Sequence, residues 1–283
     1  MKAAGLRALE VKDDVQGVRV PAWLVYPAPG EPKPVRFGPY ELEVVEGAAL
    51  PREPLPLVVV SHGNGGSPWT HRGTALHLAR AGFLVALVEH PGNSRADNSL
   101  AFTAANLANR PRHVRLVLDA VEALVRPSRV AILGQSIGGY TALAVAGGRP
   151  ITAASEEQDG VSKPVPVTRD PRVSALVLLA PATAWFHPEG ALADVDVPIL
   201  LRTGEHDPYA LSIHGEIVLR GVRDPSRVDA NVVPNAGHFS FQTPFPPALS
   251  RPDFEPSQDP PGFDRAAYHD VLNAEIEAFL RGL

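Results

Sequence analysis

Val130-Ala131-Ile132-Leu133-Gly134-Gln135-Ser136-Ile137-Gly138-Gly139, continued by Tyr140-Thr141-Ala142-Leu143-Ala144-Val145-Ala146, is the stretch whose reading decides the fold. Residues 130–133 are apolar without polar alternation, the pattern of a parallel strand covered on both faces. The small residues of 137–146 read as a helix. A serine flanked by glycines at the junction of strand and helix is the pattern of a nucleophile elbow. The turn needs glycine on either side because a side chain there would collide with the neighbouring backbones. It lifts the Ser136 hydroxyl to the tip of the turn, at the positive end of the helix dipole. The competing reading is a helix-capping serine beside a glycine turn.

Working outward, the apolar runs 57–60, 83–88, 173–179 and 199–201 predict further parallel strands, and 228–233 predicts a weaker one near the sheet edge. Residues 18–26 and 40–45 alternate better and predict an antiparallel lead-in. Val114, Val117, Leu118, Val121 and Leu124 repeat at three and four residues, one face of a helix. Residues 70–81, 137–146 and 208–219 are further candidate helices, and Tyr268, Leu272, Ile276 and Phe279 mark a terminal amphipathic one. This alternation predicts an α/β fold with a mostly parallel central sheet and helices on both faces. No repeat or linker interrupts it, so residues 1–283 read as a single domain. A surface insert is expected at 150–172, and a Pro- and Phe-rich wrap at 239–263 that either covers the site as a partial lid or lies fixed over the sheet.

Composition narrows the function. Apolar residues make up 45% of the chain and charged residues 20%, ordinary values for a globular protein with an ample core. A net charge of -5 with no Lys/Arg cluster argues against nucleic acid as a partner. No window approaches the roughly 18 apolar residues of a membrane span, and the stretch Met1-Lys2-Ala3-Ala4-Gly5-Leu6-Arg7 lacks the apolar run of a signal peptide, which predicts a cytoplasmic protein. The absence of cysteine excludes disulfides, thiolate metal sites and a cysteine nucleophile. His62, His71, His77 and His90 lie close in sequence, but their spacing matches no metal-ligand pattern, so no metal and no cofactor is expected.

A serine nucleophile needs a base, a group to orient the base, and fixed donors for the negative charge that builds on a carbonyl oxygen. His238, in Asn235-Ala236-Gly237-His238-Phe239 after the last strand, suits the base and gives the chain order Ser, acid, His. Asp207, in Thr203-Gly204-Glu205-His206-Asp207-Pro208, lies at the carboxyl end of a strand, where open sheets place their sites. Glu205 competes for the acid role, and Asp207 also suits a helix N-cap before Pro208. The Ile137 amide is one candidate oxyanion donor, and the Asn64 amide in Ser61-His62-Gly63-Asn64-Gly65-Gly66 is the other. A phosphate cradle in that loop is disfavoured because the Lys and Ser/Thr of a P-loop and the GxGxxG spacing are absent. Trp69, Trp185, Tyr209, Phe239 and Phe241 fall on loops expected around Ser136 and favour an apolar acyl group.

Taken together, Trp23-Leu24-Val25-Tyr26-Pro27-Ala28, Phe37-Gly38-Pro39-Tyr40, Val60-Ser61-His62-Gly63-Asn64-Gly65-Gly66, Glu89-His90-Pro91-Gly92-Asn93, Gly134-Gln135-Ser136-Ile137-Gly138-Gly139 and Ala236-Gly237-His238-Phe239 resemble the α/β-hydrolases of the predicted dienelactone hydrolase family. That family is related to platelet-activating-factor acetylhydrolases and cutinase-like polyesterases. The resemblance spans nearly the whole chain and implies an α/β-hydrolase fold. It also implies Ser136 as nucleophile, Asp207 as acid, His238 as base and the amides of Asn64 and Ile137 as oxyanion donors. By the same resemblance Trp185 lines the acyl or alcohol pocket, whereas its side chain alone reads equally well as a core tryptophan under the insert. The expected activity is cleavage of a small-molecule carboxylic ester through an acyl-enzyme. A serine amidase or peptidase and a non-catalytic binding protein are the alternatives.

Overall fold

The apolar runs form the middle of a ten-stranded sheet in the computed structural model, which describes residues 3–283. Met1 and Lys2, which begin the N-terminal stretch read above, lie outside the described residues. The strands are β1 (Ala3–Asp13), β2 (Val18–Ala28), β3 (Lys33–Phe37), β4 (Tyr40–Glu46), β5 (Leu57–Ser61), β6 (Leu84–Val88), β7 (Val130–Gln135), β8 (Val173–Leu179), β9 (Ile199–Gly204) and β10 (Val228–Val233). Their spatial order is β10-β9-β8-β7-β5-β6-β2-β1-β4-β3. The strands from β10 to β6 run parallel, and β2 joins β6 antiparallel as the lead-in. The sequence pattern does not mark β1 and β3: β1 scatters Arg7, Glu10, Lys12 and Asp13 among its small and apolar residues, and β3 is mostly exposed.

Five α-helices cover the sheet: α1 (Arg72–Arg80), α2 (Ala104–Leu124), α3 (Ile137–Ala146), α4 (Ser212–Gly221) and α5 (Arg265–Arg281). Because side chains alternate across a strand, Leu57 and Val59 of β5 face α2, α3 and α4, while Val58 and Val60 face α1 and α5. Val114, Val117, Leu118 and Val121 are buried as the helical period requires, whereas Leu124, at the end of α2, is exposed. The helix expected over 208–219 begins only at Ser212. The Asp207 carboxylate accepts the amides of Tyr209 and Ala210, each at 2.8 Å, and holds residues 207–210 as a turn.

α2 contains Pro111, which has no N–H to give the carbonyl of Leu107. The buried Tyr140 hydroxyl of α3 donates to that carbonyl instead, at 3.0 Å, and so satisfies the freed acceptor. Among the described residues no helix is long and apolar enough to cross a membrane.

The chain returns across β5 when it passes from β6 to β7, so the strand order reverses there. In open α/β sheets the crevice beyond the carboxyl ends of the strands at such a reversal is where ligands bind. The Asn64 loop follows β5 and Ser136 follows β7, so the two flank that point.

Among the described residues six histidines are buried, and five of them stand apart from the Asp207–His238 pair. Burial is the leading cause that pushes His62, His71 and His113 down to about 3 and His269 down to about 4. It also carries His90 well below its ordinary value. These groups stay neutral in the folded state where an unfolded chain, with imidazoles near about 6.5, takes up protons. The unfolded state then binds more protons, so stability is lost as pH falls from about 6.5 towards 4. Each such histidine contributes up to roughly 1.4 kcal/mol per pH unit. Urea titrations between pH 7 and pH 5 are expected to show a fall in unfolding free energy steeper than one histidine produces, and a flat profile would contradict this account.

Candidate active site

Ser136 has φ 57° and ψ −123°, a conformation that costs a non-glycine residue about 1–3 kcal/mol. The surrounding backbone holds it there: the Ser136 amide donates to Leu179 O at 3.1 Å, and the Ala182 amide donates to Ser136 O at 2.8 Å. The flanking glycines are sterically required. A Cβ on Gly134 would lie 2.1 Å from the carbonyl oxygen of Gly138, and one on Gly138 would lie 1.9 Å from the carbonyl oxygen of Ser61. The elbow therefore rests directly on the end of β5, where the loop carrying Asn64 begins.

In that loop the Gly66 amide closes a turn on Gly63 O at 3.1 Å and leaves Asn64 exposed at the tip. Among the described residues, neither the Asn64 nor the Ile137 amide donates a hydrogen bond within the chain. Both remain open to an incoming oxygen. The Asn64 side chain is fixed, since its Oδ1 accepts from Asn93 Nδ2 at 2.7 Å.

His238 and Asp207, 31 residues apart in sequence, meet in the fold: the imidazole Nδ1 and the carboxylate Oδ2 are 2.8 Å apart. The other carboxylate oxygen, Oδ1, is held by the Tyr209 and Ala210 amides. Burial pushes the Asp207 carboxyl up, but the hydrogen bond from His238, the charge of that imidazole and the two amides outweigh it and hold the group below the usual carboxylate range. With Nδ1 committed to Asp207, Nε2 is the nitrogen left for proton transfer.

Among the described residues Ser136 Oγ forms no hydrogen bond. Its neighbour Gln135 reaches the His238 carbonyl through Nε2 at 3.4 Å and accepts from Gln242 Nε2 at 3.3 Å, which ties the histidine loop to the elbow. Glu205, the competing acid, is engaged elsewhere, accepting the Asn235 amide at 2.7 Å. His214, the other imidazole that feels the Asp207 charge, accepts the Thr183 amide through Nδ1 at 2.9 Å.

A cavity of about 120 Å³ opens at Ser136, walled by Asn64, Ile137, Phe102, Leu107, Glu156 and Trp185. Trp185 stands in that wall and also packs against the ring of the buried Tyr140, with centroids 5.0 Å apart. Tyr209 and Phe239 are not in that wall; they pack edge-on against the His238 ring at 5.2 and 5.1 Å. Trp69 is not brought to the site; it is buried between Phe37 and Trp23, with ring centroids at 4.1 and 4.8 Å, because the short turn that carries it packs beneath the antiparallel lead-in. Phe241 is likewise core, edge-on to Tyr268.

The wrap after His238 is anchored along its length. Gly73 N donates to Thr243 Oγ1 at 3.0 Å, Tyr209 OH to Glu255 at 2.7 Å, Asn235 Nδ2 to Pro261 O at 2.9 Å, and Arg265 Nε to Asp259 at 2.9 Å.

Sequence reading missed two residues. Glu156, in the 150–172 segment, enters the cavity wall and accepts the Trp185 indole N–H at 2.9 Å. Arg110, on α2, is fully buried beneath the loop carrying Asn64. No local motif flags either one, because each reaches the site from a segment far from Ser136 in sequence. The clustered histidines form no metal site: among the described residues no group of three or more His, Cys, Asp or Glu could hold an ion. His62, His90 and His113 instead continue a buried polar chain, with Ser61 Oγ to His90 Nε2 at 2.9 Å and His90 Nδ1 to His113 Nδ1 at 3.2 Å.

The sequence model of the alpha/beta hydrolase fold family matches residues 56–210, a span that includes Asn64, Ser136, Ile137 and Asp207 and stops short of His238. Among curated proteins none matches the chain. Solved structures share the fold. A ferulic acid esterase from Streptomyces cinnamoneus has a TM-score of 0.72 at 22% identity, covering 99% of this chain and 91% of its own. A dienelactone hydrolase from Anabaena variabilis has a TM-score of 0.55 at 18% identity, covering 96% of each chain. A dienelactone hydrolase-like promiscuous phosphotriesterase from metagenomic libraries has a TM-score of 0.57 at 17% identity, covering 97% of this chain and 98% of its own.

The close contact at Gly138 sets a stability test. Gly138→Ala is expected to lower the unfolding free energy by about 1–3 kcal/mol or more, because backbone must move to admit one methyl group. Thermal melting checks this, and a melting temperature equal to wild type would show that the contact is looser than 1.9 Å implies.

Proposed function

Because the chain belongs to the alpha/beta hydrolase fold family, we propose that it is a serine hydrolase that cleaves carboxylic esters through an acyl-enzyme, with Ser136 as nucleophile, His238 as general base and Asp207 as the acid that orients it. The observation that carries this reading is the Asp207–His238 bond of 2.8 Å, in which a carboxylate already fixed by two backbone amides aligns the imidazole. A carboxylate–imidazole hydrogen bond of that kind sets the tautomer and stabilises the imidazolium formed when the serine proton is taken.

The proposed cycle uses these groups in turn. His238 Nε2 removes the Ser136 proton as Oγ attacks the ester carbonyl, and the tetrahedral oxyanion is received by the open amides of Asn64 and Ile137. Imidazolium then protonates the departing alcohol. Water, activated by the same imidazole, attacks the acyl-enzyme and releases the acid. These side chains, the two amides and water complete the cycle.

The cavity at Ser136 is small, and Phe102, Leu107, Ile137 and Trp185 give it an apolar wall that suits an uncharged acyl group. Glu156 adds a carboxylate to that wall, so an anionic acyl group would meet a like charge in a partly desolvated site. The names of two structural neighbours, a ferulic acid esterase and a dienelactone hydrolase, support ester chemistry on this scaffold.

Two experiments test the reading. A fluorophosphonate probe is expected to label the wild-type protein and not Ser136→Ala, and Asp207→Asn is expected to lower kcat on p-nitrophenyl butyrate by about 10⁴-fold. Labelling that persists in Ser136→Ala would remove the nucleophile, no labelling at all would favour a binding protein, and faster turnover of matched p-nitroanilides would favour an amidase. Separately, Glu156→Gln is expected to raise kcat/KM for a hemisuccinate ester relative to its neutral analogue by about tenfold, the size of one removed charge contact. An unchanged ratio would take Glu156 out of substrate selection.

A further inference from the structure

Arg110 lies in the middle of α2, fully buried, and among the described residues it forms no ion pair with a carboxylate. An unpaired buried charge is costly and persists where its hydrogen bonds are all satisfied and it has work to do. Its guanidinium makes four contacts. Nε donates to Thr141 Oγ1 at 3.1 Å, Nη1 to Asn93 Oδ1 at 2.6 Å, and Nη2 to Ser61 Oγ at 3.2 Å and to the carbonyl of His62.

These contacts lead in two directions. Thr141 Oγ1 in turn donates to the carbonyl of Ile137 at 3.0 Å, in the first turn of α3. Asn93 Nδ2 donates to Asn64 Oδ1 at 2.7 Å, and His62 O belongs to the backbone just before Asn64. One planar cation thus braces both segments that supply the open amides, α3 on one side and the loop after β5 on the other. The imidazoles around it are neutral, since burial and the Arg110 charge itself hold His62 and His90 far below their ordinary values. Burial pulls Arg110 down to about 9, which still leaves it charged at neutral pH. Glu156, the carboxylate in the cavity wall, is held by the Trp185 indole rather than by Arg110, so an oxyanion formed at Ser136 would be a new negative charge received by amides that this guanidinium braces.

We propose that Arg110 is a positioning residue that sets the spacing of the Asn64 and Ile137 amides and biases the site towards the oxyanion. This inference rests on the serine ester-hydrolase reading. A fixed fork is required for the bracing, because only a guanidinium presents its donors in one rigid plane, and lysine would keep the charge without the geometry.

The test uses the full chain and p-nitrophenyl butyrate. Arg110→Met is expected to lower kcat on the order of 100-fold, the usual effect of losing one oxyanion donor, with KM changed less than about threefold. Arg110→Lys should recover only part of the loss. A trifluoromethyl ketone, whose adduct with Ser136 carries the oxyanion, should lose affinity by the same factor as kcat/KM, a change that a merely structural role would not produce. A folded Arg110→Met protein with wild-type kcat, or one whose kcat falls while ketone affinity holds, overturns the proposal. If Arg110→Met does not fold, Asn93→Ala carries the test, since it leaves the guanidinium in place and cuts its link to Asn64. A kcat loss of about tenfold at constant KM then supports the bracing, and a kcat within twofold of wild type overturns it. Ester turnover undiminished in Ser136→Ala would defeat the serine reading itself, whatever Arg110 does.

Discussion

The site depends on the contact between the α-carbon of Gly138 and the carbonyl of Ser61, where nothing larger than hydrogen fits. It holds the Ser136 turn against the end of the adjacent strand, so that Ile137 and the loop carrying Asn64 face one cavity. Parallel pairing of β5 and β7 brings the two strand ends level, with Ser61 opposite Gly134 in the register. The strained backbone of Ser136 follows from that arrangement, because a relaxed turn would carry the hydroxyl away from the strand ends.

Polar groups inside the molecule are arranged on the same logic. The Asp207 carboxylate uses one oxygen to fix the turn at 207–210 and the other to hold His238, so a local turn and a long-range pair are solved by one side chain. The chain of imidazoles from His62 to His113 stays neutral, passing hydrogen bonds rather than charge to Gln16 at its end. Neutral rings there leave Arg110 as the dominant nearby positive group.

Much of this was legible from residue order because the determinants are local. An apolar run, a glycine, a serine and two more glycines specify strand, turn and helix within about ten positions, and 173–179, 228–233 and 137–146 fall where their patterns put them. Asp207 and His238 could be nominated by chain order, and the distance between them only by folding. What escaped was set by contacts across the molecule. β1 carries charged residues on a half-covered face, so neither alternation nor an apolar run marks it. Trp69 reads as a loop aromatic, yet the β3–β4 hairpin supplies Phe37 to bury it. Arg110 looks like any helix arginine beside Arg112, and only the packing of α2 on α3 shows that one is buried and the other paired with Asp13.

The Pro111–Tyr140 arrangement has a consequence for how such a sequence changes over time. A proline one residue after the buried arginine leaves the Leu107 carbonyl without its usual helical donor, and a hydroxyl from the helix that follows Ser136 fills the gap. The two positions constrain each other in one direction: phenylalanine at 140 would strand a carbonyl in the interior while proline stands at 111, whereas an amide restored at 111 would make the phenol oxygen redundant. Descendants of this chain should therefore lose the proline before or together with the tyrosine, an ordered signature visible in an alignment of close homologues without any measurement of activity.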